Sequence, residues 1–175
     1  MRFSNANKLE KMQINILLAE DNEYTAKQYK IALEKKGHQV TVTKDGVECL
    51  DLYTDEAKYS ELFKKDNSPP YDVVLLDQNM PRKTGIDTAK EIVKLKTNQR
   101  IIFLTAYGQN ILQKVSDFKD DTIQIIQKPF SLDFLVKKIE GRIINSRTNR
   151  NLVDRIIGEK VNNLMTITQD KEAIR

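Results

Sequence analysis

Apolar residues in this chain gather in short runs bounded by turn-forming residues. Ile14-Asn15-Ile16-Leu17-Leu18-Ala19 is the first, Val73-Val74-Leu75-Leu76 the second, Ile101-Ile102-Phe103-Leu104 the third and Ile123-Gln124-Ile125-Ile126 the fourth. Runs of this length predict strands, and the Val and Leu run before Asp77 predicts one buried on both faces. His38 to Thr43 alternates and predicts a further short strand, with His38 expected to be solvated at its start. Helical periodicity fills the gaps. Asn22 precedes Tyr24, Ala26, Tyr29, Ala32 and Leu33, whose spacing predicts a helix capped by Asn22 and ended at Gly37. Asp45-Gly46 turns into a second helix, a loop from Asn79 to Gly85 leads to a third near Ile86 to Leu95, and a fourth is expected at about Asn110 to Phe118. Ser131 caps the last, from Leu132. Strands alternating with helices predict an α/β, doubly wound, five-stranded parallel sheet covered on both faces.

The residues that end these strands carry chemistry. Glu20-Asp21-Asn22 follows the first, Asp77 ends the second and runs into Gln78-Asn79-Met80-Pro81, Thr105-Ala106 ends the third, and Lys128-Pro129-Phe130 follows the fourth. Any one of these has an ordinary reading: an acid after a strand is often the cap or first-turn residue of the next helix, and a Lys before Pro is often a solvated turn. All four in this order point to one site, because in open α/β sheets ligands bind at the carboxyl ends of the strands.

This ordered set resembles the receiver domain of two-component response regulators. The resemblance spans roughly residues 14 to 145 and rests on Leu18-Ala19-Glu20-Asp21-Asn22, on Asp77-Gln78-Asn79-Met80-Pro81 followed by Gly85, on Thr105-Ala106 and on Lys128-Pro129-Phe130. It implies a flavodoxin-like sheet of strand order 2-1-3-4-5. It also implies phosphoryl transfer from a histidine kinase or phosphotransfer protein to Asp77. Mg2+ would be held by Asp21, Asp77 and the backbone carbonyl of Asn79, with Glu20 acting through a water, while Thr105 and Lys128 read the phosphate. The chemistry is coherent in its own right. A carboxylate attacking an already negative phosphoryl group needs charge neutralisation and positioning more than an acid or base. Mg2+ takes hard oxygen ligands and keeps waters. Three clustered carboxylates repel one another unless a cation joins them, so Glu20, Asp21 and Asp77 together imply a metal.

Four features depart from the family pattern. The stretch Tyr53 to Pro70 is longer than expected between the His38 to Thr43 strand and Asp77, and its apolar positions Tyr53, Ala57, Tyr59, Leu62 and Phe63 predict a lengthened helix, a surface elaboration. Ile125 stands where the family has an aromatic ring that moves with Thr105, so any conformational coupling runs through other contacts or the domain switches less. Tyr107 is a bulky residue near the mouth of the site, a solvated loop aromatic or a shield for an acyl phosphate. Lys83-Thr84 replaces acidic and apolar residues common before Gly85, with kinase recognition as the expected consequence.

Composition narrows the picture. The 175 residues include a single cysteine, Cys49, expected to be buried in a helix; one thiol gives no disulfide framework. No apolar stretch reaches membrane-spanning length, and residues 1–13 lack a signal-peptide run, so a soluble, cytoplasmic protein is expected. The net charge of +4 conceals an uneven spread: residues 1–13, an expected flexible basic segment, hold 3 basic and 1 acidic side chains, residues 14–136 hold 17 and 19, and residues 137–175 hold 9 and 5. Beyond the 14–145 receiver pattern, Leu152, Val153, Ile156, Ile157, Val161, Leu164 and Ile167 recur at helical steps. This 146–175 extension is too short for a DNA-binding output domain and is expected to mediate homodimerisation or to dock back on its own chain. Weak contact of its basic face with nucleic acid stays open.

Three readings of function result. The first is a phospho-accepting switch acting through protein contacts, an enzyme only toward its own phosphorylation and dephosphorylation. The second is a degenerate or constitutive receiver serving as an interaction module. The third is a small Mg2+-dependent phosphohydrolase, which would need a second acid two residues after Asp77, where this chain has Asn79.

Overall fold

The structure is a computed structural model that describes residues 12–64, 68–106 and 122–141. The expected helix at 110–118, Tyr107, the N-terminal segment up to residue 11 and the extension at 146–175 lie outside the described residues. Five strands form one parallel sheet: β1 (Asn15–Ala19), β2 (Gln39–Thr43), β3 (Val73–Asp77), β4 (Ile101–Thr105) and β5 (Ile123–Gln127). Their order is β2-β1-β3-β4-β5, as the receiver resemblance implies. Four helices connect or follow them among the described residues: α1 (Glu23–Glu34), α2 (Gly46–Tyr59), α3 (Gly85–Leu95) and α4 (132–141). The chain divides into a compact unit, Met1–Val136, and a second unit, Lys137–Arg175, of which the described part is the helical stretch 137–141.

Every residue of β3 and β4 is buried, as central strands covered on both sides require. Successive side chains point to opposite faces. Leu17, Ala19, Val74, Leu76, Ile101 and Phe103 form one core with Cys49, Tyr53 and Ala57 of α2 and Ile86, Ala89 and Ile92 of α3. Burial there pushes the Cys49 thiol up to about 12, so it stays a neutral core residue. The alternate residues Ile16, Leu18, Leu75, Ile102 and Leu104 are equally buried.

The helix starts follow local capping rules. Asn22 accepts a hydrogen bond from Thr25 N–H at 2.9 Å, Asp45 accepts from Val47 and Glu48 N–H, and Ser131 Oγ accepts from Phe134 N–H at 3.2 Å. Two local expectations fail. His38 is buried, only 4% exposed, since its N–H closes on Leu33 O and the next residue already pairs with Ile14 as the strand enters the sheet. Tyr24 is 72% exposed, because α1 turns Ala26, Tyr29 and Leu33 inward instead.

The inserted stretch lengthens α2 and ends it in a π-helical turn, Ser60–Lys64. Tyr53 and Ala57 are buried as their spacing predicts, but Tyr59, Leu62 and Phe63 face solvent. Leu62 and Phe63 lie on the wider π turn, which breaks the helical register that would carry the apolar stripe on. Glu61 ion-pairs at 2.8 Å with Lys96, a lysine whose side chain is almost wholly buried at the end of α3. Among the described residues no helix is long and apolar enough to cross a membrane.

Candidate functional site

Parallel pairing brings the carboxyl ends of the strands into line: Ala19 lies opposite Leu76, Asp77 opposite Leu104, and Thr105 opposite Gln127. The polar residues expected to act together therefore emerge at one edge of the sheet. Glu20, Asp77 and Thr105 are all buried there, at 4%, 8% and 1% exposure.

Lys128 joins them. Its Nζ donates to Asp77 Oδ1 at 2.7 Å and to Glu20 Oε2 at 2.9 Å. Its backbone N–H donates to Thr105 O at 2.7 Å, which ties the residue to the end of β4. Phe130, two residues on, stacks against Tyr29 of α1 with ring centroids 5.6 Å apart and holds the Lys128-Pro129-Phe130 stretch in place. The second carboxylate oxygen of Asp77 accepts from Asn79 N–H at 2.6 Å. Glu20 is fixed from behind, its N–H donating to Thr43 O at 3.1 Å.

The electrostatics follow from this arrangement. Burial pushes the Glu20 carboxyl above its ordinary value, and neighbouring Asp77 adds to that, outweighing the Lys128 hydrogen bond that pulls it down. For Lys128, burial alone would lower the pKa, but the hydrogen bonds to Asp77 and Glu20 raise it above the ordinary lysine value. The ammonium is thus a fixed positive charge between two carboxylates. Lys128 therefore offsets part of the repulsion between Glu20 and Asp77.

Asp21 and Asn79 occupy adjoining positions with exposed side chains. Among the described residues, no three His, Cys, Asp or Glu side chains are gathered into a metal cluster. Ile125 is half-buried in β5 opposite Phe103 and packs against the core shared with α2 and α3. Tyr107 lies outside the described residues.

The loop after Asp77 is anchored by Gln78, Thr84 and Gly85, which the sequence motif includes, and by Arg82, which it does not. Gly85 N–H donates to Gln78 O at 3.1 Å and Ile86 N–H to Gln78 Oε1 at 3.2 Å, closing the loop on itself. Thr84 caps α3, accepting from Asp87 N–H at 3.2 Å while its hydroxyl donates to Asp87 Oδ2 at 2.6 Å. The sequence Thr84-Gly85-Ile86-Asp87 carries that signal as a Thr-x-x-acid start. Arg82 adopts a left-handed backbone, φ 62°, and its guanidinium ion-pairs with Asp45 at the start of α2, Nε lying 2.8 Å from Oδ2. No local pattern announces that pair, because its members are 37 residues apart.

Comparison with known proteins places this geometry. The chain matches the family model of the response regulator receiver domain over residues 16–140. It is 36% identical over 132 residues to response regulator RR06 of Streptococcus pneumoniae, covering 74% of this chain and 53% of that protein. It is 30% identical over 129 residues to the response regulator receiver protein CpdR of Brucella abortus, covering 74% of this chain and 96% of that one. The response regulator TrrA of Thermotoga maritima, solved in complex with Mg2+-BeF, aligns with a TM-score of 0.56 at 27% identity, covering 74% of this chain and 98% of that one. The chain belongs to the response regulator receiver domain family, the signal-receiving module of two-component systems. The matched part spans about half the length of RR06 and nearly all of CpdR.

Proposed function

We propose that this chain is a phosphorylation-controlled switch in which Asp77 accepts a phosphoryl group from a histidine kinase or phosphotransfer protein. The observation that carries the reading is the Lys128 ammonium bridging Asp77 and Glu20 at the buried strand ends. A fixed cation beside the Asp77 carboxyl supports the reading, because it suits a phosphoryl oxygen there.

In the transfer, an oxygen of Asp77 attacks phosphorus and a new P–O bond forms. The bond from phosphorus to the donor, an imidazole nitrogen or a small acyl phosphate, breaks, and its electron pair leaves with the donor. Both Asp77 oxygens already accept one hydrogen bond, but each retains lone-pair capacity for the attack. Lys128 then shifts its hydrogen bond from the carboxylate to a phosphoryl oxygen, and the Thr105 hydroxyl donates to another. Attack of water on phosphorus later releases inorganic phosphate and restores the carboxylate. Tyr107 shields the acyl phosphate from that water.

The donor chemistry fits Mg2+: Asp21, Asp77 and the Asn79 carbonyl offer hard oxygens that would hold the ion, and Glu20 would act through a retained water. When bound, Mg2+ supplies charge neutralisation for the transferring group. In this reading the protein works in the cytoplasm, catalyses only its own phosphorylation and dephosphorylation, and dimerises through residues 146–175 next to a 14–145 receiver.

Incubation with Mg2+ and acetyl phosphate, followed by intact mass measurement, tests the core of the reading. One added phosphoryl group on the wild type and none on Asp77→Asn is expected, because the amide keeps the shape and removes the nucleophile. Equal addition to both proteins overturns it.

A further inference from the structure

The pair Arg82 and Asp45 has a place in the site that neither residue's own chemistry requires. Arg82 stands in the loop between β3 and α3, three residues after Asn79, and holds a left-handed backbone conformation, φ 62°. That conformation disfavours any residue with a Cβ and is kept by non-glycine residues only when something else determines it. The side chain of this residue is itself held at its far end. Arg82 reaches across to the buried carboxylate of Asp45, with both Nε and a terminal nitrogen on Oδ2. The other oxygen of Asp45 accepts the Val47 and Glu48 N–H groups that open α2.

The contact is reinforced next door. A Cβ on Gly46 would stand 2.6 Å from the carbonyl oxygen of Lys83, so the loop backbone lies directly on the turn that Asp45 begins. That turn follows β2, whose Thr43 holds Glu20 through O to N–H at 3.1 Å and donates from Oγ1 to Leu18 O at 3.3 Å. The loop carrying Asn79 is thereby fastened at its far end to the same framework that holds Glu20. Its near end is fastened by the Asn79 N–H on Asp77. Lys83 N–H on Pro81 O, at 2.6 Å, leaves little slack between the two anchors.

We infer that Arg82, through its ion pair with Asp45, is the positioning residue that sets where the Asn79 backbone stands relative to Asp77, and so sets how tightly the site takes Mg2+. The inference rests on the reading of Asp77 and Asn79 given under Proposed function. It adds a residue that touches neither the phosphoryl group nor the metal, and it makes the β2–α2 turn part of the phosphorylation apparatus.

The test compares full-length Arg82→Gly, Arg82→Lys and Asp45→Asn with the wild type. Gly accepts the left-handed backbone without strain, so a change in Mg2+ affinity in Arg82→Gly reports the lost ion pair and not a strained loop. Asn at 45 keeps an oxygen to cap α2 but loses the charge. Mg2+ affinity is read without any turnover, from chemical shifts of the Asn79 and Gln78 amides in a 15N-labelled sample titrated with MgCl2. The concentration of Mg2+ that half-saturates phosphorylation by acetyl phosphate is read separately.

The expected result is a rise of about tenfold in both Mg2+ concentrations for Arg82→Gly and for Asp45→Asn, the size seen when partners that orient metal ligands are removed. Arg82→Lys should recover part of it, and the double variant Arg82→Gly, Asp45→Asn should be no worse than either single one. The phosphorylation rate extrapolated to saturating Mg2+ should fall less than the affinity. Unchanged Mg2+ titrations in both single variants, with a wild type that is phosphorylated normally, overturn the positioning role alone. A wild type that takes no phosphoryl group overturns the underlying reading instead. Additive losses in the double variant would show that the two residues act independently and would equally overturn the inference.

Discussion

Gly85 and Asp77 meet backbone to backbone: a Cβ placed on Gly85 would overlap the carbonyl oxygen of Asp77. Glycine at that position is what lets α3 begin directly under the residue that the site is built around. Gly85→Ala should therefore displace Asp77 rather than fill empty space. Overpacking of this kind costs about 1–3 kcal/mol. The expected outcome is a lower urea midpoint together with slower phosphorylation by acetyl phosphate. A variant as stable and as reactive as the wild type would mean that the loop moves aside freely.

Asp21 and Glu20 are neighbours with opposite surroundings, one exposed and one buried. As a direct hard ligand, Asp21 should matter for Mg2+ and little for folding. Asp21→Ala should raise the Mg2+ requirement by about tenfold or more and shift the metal-free melting temperature little. Glu20→Gln should affect Mg2+ less, since it acts through water. Isothermal titration with MgCl2 beside thermal melts in chelator checks both, and equal, negligible changes in Mg2+ affinity would show the acid pair to be structural.

Lys128 supplies the positive charge between Glu20 and Asp77, so its removal should make the protein depend on an external cation. In the metal-free state Lys128→Met leaves two buried carboxylates without their shared partner, a loss of about 3 kcal/mol for pairs of this kind. Added Mg2+ should raise the melting temperature of Lys128→Met by more than it raises that of the wild type, by mass action on the folded state. Identical Mg2+ shifts in the two proteins would place the metal away from these carboxylates.

Much of this arrangement is legible in the sequence, and the part that is not has a common physical origin. Unbroken apolar runs mark β3 and β4 because a strand buried on both faces has no polar side to show. Asn22, Asp45 and Ser131 announce helix starts because capping is a local hydrogen bond, made within three residues. The convergence of Glu20, Asp77, Thr105 and Lys128 is legible because each ends a strand and parallel pairing aligns the ends. Hidden are contacts set by tertiary packing. His38 looks like a solvated strand start until β2 is seen to enter the sheet one residue later, and Tyr24 looks like part of the buried stripe until Ala26, Tyr29 and Leu33 take that face. The bridge from the Lys128 ammonium to both Glu20 and Asp77 is hidden as well, because its distance to two carboxylates cannot be read from spacing. Arg82 with Asp45 and Lys96 with Glu61 are pairs 37 and 35 residues apart; charge alone does not say which partner each finds.

Two buried carboxyls in and beside the site should give opposite dependences of stability on pH. Burial pushes Asp45 up, but hydrogen bonds from Glu48 N–H, Arg82 and Val47 N–H outweigh it and hold the carboxyl below its ordinary 3.8. Its contribution is therefore present above pH 3.8 and lost as the pH falls through the lowered value. Glu20 has a raised value, so the folded state holds its proton more tightly and ionisation weakens the fold as the pH rises from its ordinary 4.5. In chelator, Asp45→Asn should be less stable than the wild type at neutral pH, with the gap closing below pH 3.8. The difference between Glu20→Gln and the wild type should move in favour of the variant as the pH climbs above 4.5. Denaturant midpoints across this range measure both, and parallel curves for all three proteins would contradict the assignment.

The inserted stretch that lengthens α2 should divide sharply between residues that hold the fold and residues that do not. Tyr53 is fully buried, and its hydroxyl donates to Gln99 Oε1 at 2.8 Å. Gln99, buried in turn, donates through Nε2 to Tyr71 O at 3.1 Å and Arg100 O at 3.0 Å, so it links the start of the insertion to the segment where the chain returns toward β3. Tyr53→Phe keeps the ring and strips the buried Gln99 oxygen of this donor, at a cost of about 1–3 kcal/mol. Leu62, three residues beyond Tyr59 on the π turn, is 72% exposed. Leu62→Gln removes an apolar side chain that the fold does not bury, and its stability should lie within about 0.5 kcal/mol of the wild type. Urea unfolding at constant slope compares them. A loss in Leu62→Gln as large as that in Tyr53→Phe would mean that the turn packs against part of the chain outside the described residues, and would make the insertion a structural element along its whole length.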